Sequence, residues 1–186
     1  MHEQITHALL ALNSQVATLK LLPRTGWLQR GVTHAESVAE HTFGVLALAL
    51  FVGDQIAGLD RGKLLAIALL HDMAEVYLGD LPSSARRLLS AENKHEAERR
   101  AMQELFAAMP ARTDYLNLWS EYVAGSSPEG RLIKGIDRIE MLAQALAYER
   151  AGSRVMAEFW EDAGEGWSDE FPILCSIATQ LIALRG

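Results

Sequence analysis

An all-α fold in a single domain is predicted by three features of this 186-residue chain. Val, Ile and Thr are sparse beside Leu, Ala and Glu; apolar residues recur at helical spacing; and no stretch alternates for long enough to read as a strand. With 49% hydrophobic and 22% charged residues, the composition is that of a globular protein large enough to bury a core. About seven to eight helices are expected over residues 1–186, with no internal repeat or low-complexity tract.

The elements follow in order. Residues 5–21 carry Ile5, Leu9, Leu12, Val16 and Leu19 as a one-sided stripe that stops before Pro23. The segment Pro23-Arg-Thr-Gly-Trp27 is turn-like. Its Arg24 and Trp27 read either as surface charge and core filler or as pocket lining. In the second case they supply a guanidinium fork for phosphate and a flat ring for a base or sugar. A second helix starts with the capping-box pattern Thr33-His-Ala-Glu36 and runs to about Val52. It carries His41 among Val38, Val45, Leu46 and Leu48, where a lone His is ordinarily a hydrogen-bonded core residue.

A third helix spans residues 61–73, and residues 74–82 form a loop bearing Glu75, Gly79 and Asp80. Residues 92–109 make a surface helix bearing Lys94, His95 and Glu98, with His95 read as part of its solvated face, and residues 115–123 a shorter one. Ser126-Ser-Pro-Glu129 opens the next helix as a second capping box with Pro in the first turn. That helix reaches Arg150 along an inner stripe of Leu132 or Ile133, Ile136, Glu140, Ala143 and Ala147, with Asp137 beside it. Residues 164–169 are a loop, and residues 171–184 a closing helix with Cys175 in the core.

Composition excludes several classes. A formal charge of −7 argues against a nucleic-acid polymer, which needs a basic face, but allows a small phosphorylated substrate met by one or two cations. A single cysteine gives neither a disulfide framework nor a thiolate metal cluster and fits a reducing compartment. No run approaches the roughly 18 apolar residues of a membrane span. The N-terminus shows no basic region leading into an apolar one, so a cytoplasmic protein is expected.

The chemistry centres on Leu64–Asp80, LLAIALLHDMAEVYLGD. An apolar run ends at His71 and Asp72 and is followed by Glu75 and Asp80. Burying an imidazole and carboxylates there is costly unless a positive charge sits among them. A divalent cation answers that cost, and His and Asp offer nitrogen and oxygen ligands of the kind Mn, Fe, Co, Ni and Zn accept. His41 and Asp137 are the further candidates. Asp137 is a poor mid-helix residue that wants a partner. Spacing alone leaves open whether the four converge.

Their order, His41 … His71-Asp72 … Asp137, comes with the words Glu36-Ser-Val-Ala-Glu-His41, Leu70-His-Asp-Met-Ala-Glu75, Gly79-Asp80 and Lys134-Gly-Ile-Asp137. This pattern resembles the HD-domain phosphohydrolases. Leu21-Leu-Pro-Arg-Thr-Gly-Trp27 and Trp119-Ser-Glu-Tyr122 look like the 5′-deoxynucleotidase branch of that superfamily. The resemblance covers residues 19–150 and implies an HD-domain helical bundle closed by the helix at 170–184. It implies one divalent metal ion (Mn, Co, Fe, Ni, Zn or Mg) on His41, His71, Asp72 and Asp137. It places Arg24 on the phosphate, Trp27 at the nucleoside pocket, Asp80 at the sugar, and Glu75 on the attacking water or the leaving group. Some relatives have Arg and Trp adjacent, whereas Thr25 and Gly26 separate them here.

The implied activity is hydrolysis of 2′-deoxyribonucleoside 5′-monophosphates. Rival HD-domain activities fit less well. Cyclic-nucleotide hydrolases build a second metal site from histidines, and only His2, His7, His34 and His95 are spare here. Triphosphate and alarmone hydrolases need a larger, more basic pocket. A non-catalytic nucleotide-binding regulatory module is a rival of another class, and the presence of Glu75 and Asp80 favours an enzyme. The resemblance also leaves a homodimer open, with the closing helix as the packing element.

Overall fold

The computed structural model describes residues 2–186. Among them are seven helices of ten or more residues and no strand, only an isolated antiparallel bridge between Pro23 and Ser37. The helices are α1 (His2–Val16), α2 (Val38–Gly53), α3 (Arg61–Leu70), α4 (Ala91–Leu105), α5 (Arg112–Ala124), α6 (Pro128–Arg150) and α7 (Pro172–Arg185). No described helix is long and apolar enough to cross a membrane.

Helix α6, 23 residues and thus roughly 35 Å long, is the axis. Its first half buries Leu132, Ile133, Ile136 and Ile139 against Val45 and Ala49 of α2, Ile67 and Ala68 of α3, and Leu174 and Ala178 of α7. Its second half buries Leu142, Ala145 and Leu146 against Trp27, Met156, Trp160 and Ala163. A third cluster joins Leu70, Met73 and Ala74 after α3 to Met102 and Leu105 of α4 and Trp119 of α5.

Several expectations about the elements are corrected. Helix α2 starts at Ser37, where Ser37 and Glu40 cap each other reciprocally, and not at Thr33. Glu36 cannot continue a helix because its carbonyl accepts from the Arg24 N–H and its carboxylate from the Trp27 indole, which hold the chain extended. Helix α3 stops at Leu70, and residues 75–78 form a helical turn where a loop was expected. Helix α6 is capped by Ser127 alone, whose hydroxyl accepts from Gly130 N–H. Glu129 instead accepts from the Asp60 N–H and pairs with Lys63, tying the start of α6 to that of α3.

Ala143 and Ala147 are exposed and Leu142, Ala145 and Leu146 buried, because the partners of α6 change sides half-way along it. On α1 the inner stripe is Ile5, Ala8, Leu12 and Val16, with Leu9 facing out. Cys175 is exposed, one residue off the α7 face that buries Leu174.

Leu174 sits where Gly135 has no side chain, and a Cβ there would overlap its terminal methyl. Close approach of α7 to α6 rests on that pair. Leu174→Ala is expected to lower stability by about 2–5 kcal/mol through the cavity it leaves, read from urea unfolding curves.

Candidate metal centre and its cavity

His41 lies in the first turn of α2, His71 and Asp72 just past the end of α3, and Asp137 midway along α6. The structure brings all four together. His41 Nε2 is 3.1 Å from Asp137 Oδ1 and 3.6 Å from Asp72 Oδ2. His71 Nε2 is 3.2 Å from Asp72 Oδ2 and 3.4 Å from His41 Nε2. His71 and Asp72, whose side chains leave a helix about 100° apart, both reach one point because it lies past the C-terminal end of α3, between α2 and α6.

The other imidazole nitrogens decide the chemistry of the facing pair. His71 Nδ1–H donates to the Ala68 carbonyl at 2.7 Å, and His41 Nδ1–H donates to Glu140 Oε2 at 2.6 Å. In their neutral forms both rings therefore turn an Nε2 lone pair toward the other, beside two carboxylates. Lone pairs so placed repel unless a proton or a metal ion lies between them. Burial works against a charged His41, but hydrogen bonds to Asp137 and Glu140 outweigh it and raise its pKa to about 10. A metal ion replaces such protons. Two ligands each about 2.1 Å from an ion stand roughly 3–3.5 Å apart, which matches the spacings here. The donor set fits a divalent cation.

A second group, Glu36, His41 and Glu140, is equally close-set. Its glutamates sit on the Nδ1 side of His41, away from the cavity that opens onto His71, Asp72 and Asp137, so they orient the imidazole. Burial and the nearby Glu140 carboxylate push Glu36 up to about 7.

A cavity of about 250 Å³ opens onto the His71, Asp72 and Asp137 side. Glu75 lines it and carries a buried Oε2 with no hydrogen-bond partner among the described residues. Burial, then repulsion from Asp72 and Asp80, pushes its carboxyl up to about 9. Arg24 donates to Asp72 Oδ2 at 3.2 Å. Burial opposes its charge, but Asp72, Asp137 and Asp80 hold it charged well above the ordinary range. Asp80 accepts from Thr25 N–H at 2.5 Å, and the Thr25 hydroxyl donates back to its carbonyl. That latch, with Arg24, separates the cavity from a larger neighbouring one of about 870 Å³.

Trp27 forms part of the second cavity's wall but is only 2% exposed, its indole N–H on Glu36 and its ring against Phe159 and Tyr148. Lys94 and Glu98 of the surface helix line the first cavity. His95 lies flat on the buried Trp119, with rings 5.4 Å apart.

A family model described as "HD domain" matches residues 16–170. The chain belongs to the HD-domain family. A 5′-deoxynucleotidase HDDC2 from Xenopus laevis is 35% identical over 79% of this chain and 72% of its own length. The one from Homo sapiens is 36% identical over 72% of this chain and 65% of its own. The chain thus spans about two thirds of the human protein. A crystal structure of a Pyrococcus horikoshii OT3 protein superposes with a TM-score of 0.79 at 33% identity, covering 99% of each chain.

Within this HD domain, sequence reasoning missed the groups that orient the ligands. Tyr122 OH donates to Asp137 Oδ2 at 3.3 Å, and burial followed by the Asp137 charge raises its pKa well above ordinary. Glu140 reaches His41 across the gap left by Gly44, where a Cβ would come within 2.6 Å of the carboxylate. A glycine one turn after a histidine in an otherwise Leu- and Ala-rich helix was the available signal. Helix propensity alone favours Ala over Gly by about 1 kcal/mol, so Gly44→Ala would stabilise α2 if nothing stood there. The clash with Glu140 predicts that it weakens metal binding by about 10–100-fold with helical circular dichroism retained, measured by metal titration of stripped protein.

Proposed function

We propose that this HD-domain protein is a metal-dependent phosphomonoesterase that hydrolyses 2′-deoxyribonucleoside 5′-monophosphates to deoxynucleoside and phosphate. The observation that carries the proposal is the convergence of two imidazole Nε2 atoms and two carboxylates at the floor of a cavity that also holds Arg24 and Glu75. The substrate class follows from the relatives bearing the 5′-deoxynucleotidase name. His41, His71, Asp72 and Asp137 would hold one divalent ion, drawn from Mn, Co, Fe, Ni, Zn and Mg. Such an ion supplies an acidified water and a positive centre for a phosphoryl oxygen.

The side chains supply the rest. Arg24 already donates to the cavity's central carboxylate, and it exchanges that contact for a phosphate oxygen with charge-assisted hydrogen bonds. Glu75, held neutral by burial and its acidic neighbours, gives its proton to the departing 5′ oxygen. Asp80, latched to Thr25 at the rim, meets the sugar. Trp27 acts through the turn it anchors, which fixes Arg24 at the edge of the cavity. A cytoplasmic setting fits the lone, unpaired Cys175.

The deciding experiment measures phosphate release from the five common deoxynucleoside monophosphates and their ribose counterparts, using metal-stripped protein resupplied with single metals. Turnover of the deoxy set, absent without metal, is expected; none on any nucleotide with metal bound would overturn the activity. Asp72→Ala is expected to lose both metal and turnover. Glu75→Ala should keep the metal and lose about 10²–10⁴-fold in rate.

We further infer a homodimer. Phe43 and Phe51 of α2 are 73% and 66% exposed, with Ala47 and Leu50 between them on the same face and Glu40 and Asp54 at its two ends. An exposed apolar helix face marks an interaction site, and a second copy packing the same face across a twofold axis would cover it on both chains. Wild-type protein should run as a dimer by light scattering, and Phe43→Glu combined with Phe51→Glu as a monomer with unchanged helical content.

A further inference from the structure

The geometry points to Lys94 as a second phosphate-binding cation, restrained by Glu98 until the anion arrives; this rests on the phosphomonoesterase reading above. Helix α4 carries two separate sets of charges. Glu96 is paired with Arg99 and Arg100 on the outer side. Lys94 and Glu98 pair with each other, one turn apart, in the wall of the catalytic cavity. The orientation is fixed from both sides. Ala101, Met102 and Leu105 bury the inner face of α4, and His95 lies within 5° of parallel to the Trp119 ring, which is itself buried in the cavity wall. Those contacts hold the Lys94 and Glu98 side of α4 toward the cavity, with the Lys94 side chain about a third exposed.

Charge then indicates what Lys94 meets. Five carboxylates line the cavity (Asp72, Glu75, Asp80, Glu98 and Asp137) against three cationic side chains (Arg24, Lys94 and Lys134). Arg24 is engaged by Asp72, and the Lys134 ammonium donates to the Val123 carbonyl at 2.7 Å. Among the described residues Lys94 is held by one carboxylate, of its own helix, a kind of pair that is weak and readily exchanged. A phosphate monoester dianion entering this cavity meets more carboxylates than cations. An ammonium on a flexible four-carbon stem can follow it in, whereas the Lys134 ammonium is anchored. Lys94 exchanges Glu98 for a phosphate oxygen, and Glu98 recovers it when the product leaves.

The test uses full-length, metal-loaded protein and inorganic phosphate, the product common to any phosphomonoester. Calorimetric phosphate affinity, KM for a deoxynucleoside monophosphate and metal content are measured on Lys94→Met, Lys94→Arg and Glu98→Gln. Lys94→Met is expected to retain metal and weaken phosphate binding about tenfold or more, with KM rising in parallel. Lys94→Arg should restore most of the affinity, and Glu98→Gln should tighten it by freeing the ammonium. Unchanged phosphate affinity in metal-loaded Lys94→Met overturns the assignment. Equal weakening in Glu98→Gln also overturns it, because the pair would then be a strut for α4. Phosphate binding is read without turnover, so a protein inactive on every nucleotide would refute the proposed substrate while leaving the Lys94 result interpretable.

Discussion

Two imidazole nitrogens held 3.4 Å apart beside two carboxylates, in a place largely removed from water, form an arrangement that is unfavourable by itself. Everything around it works to keep those groups from moving apart. His71 and Asp72 sit just past the end of α3 and turn inward together. The Ala68 carbonyl and Glu140 each take one imidazole N–H, which fixes both tautomers and aims the remaining nitrogens at each other. Glu140 can reach because Gly44 leaves room, and α6 is held in place by the same isoleucines that form the main core. Packing energy spread over three helices is thus concentrated on four atoms that would otherwise repel. A cation is what makes the result favourable.

The Arg24 side of the cavity is built by a different device. Residues 23–37 contain neither a long helix nor a sheet, yet they are over-determined. A single antiparallel bridge pairs Pro23 with Ser37, Glu36 accepts the Trp27 indole while its own N–H goes to the Tyr148 hydroxyl, and Thr25 is tied twice to Asp80. The guanidinium is thereby presented at the rim between two cavities with little freedom to withdraw. Binding an anion then costs little ordering of the protein, the situation in which a single arginine contributes most to affinity and to charge stabilisation.

Acidity and function are consistent once the charges are placed. A net charge of −7 argues against a polyanion as partner, and much of that charge lies outside the cavity. Inside it, carboxylates exceed cations until a divalent ion is counted. Without a metal ion, burial and then the Asp72 and Asp80 charges push the Glu75 carboxyl up to about 9. Burial and mutual repulsion separate the affinities of these neighbouring acids for protons.

Helix content, the ligand candidates and the family were legible in the chain because they depend on local pattern: helical periodicity, an apolar run cut off at His71-Asp72, and words repeated in order. Residues such as Ser127 and Pro128 act on their own neighbours, so their place near the start of α6 could be read directly. The start of α2 could not, because Glu36 is drawn out of the helix by Trp27, Arg24 and Tyr148, and Tyr148 lies 112 residues away. The buried face of α6 was misjudged for a similar reason, as its cover passes from α2 and α3 to Trp27 and the 156–163 segment. Lys94 and Glu98 show the limit most clearly. On one helix they are an unremarkable charged pair, and only the packing of α4 against α5 and the 75–78 turn makes them part of a cavity. Sequence by itself determined which side chains could hold a metal. Tertiary structure decided which nitrogen and oxygen atoms face each other, what restrains them and which charges share their cavity, because those relations are distances between segments that local pattern does not encode.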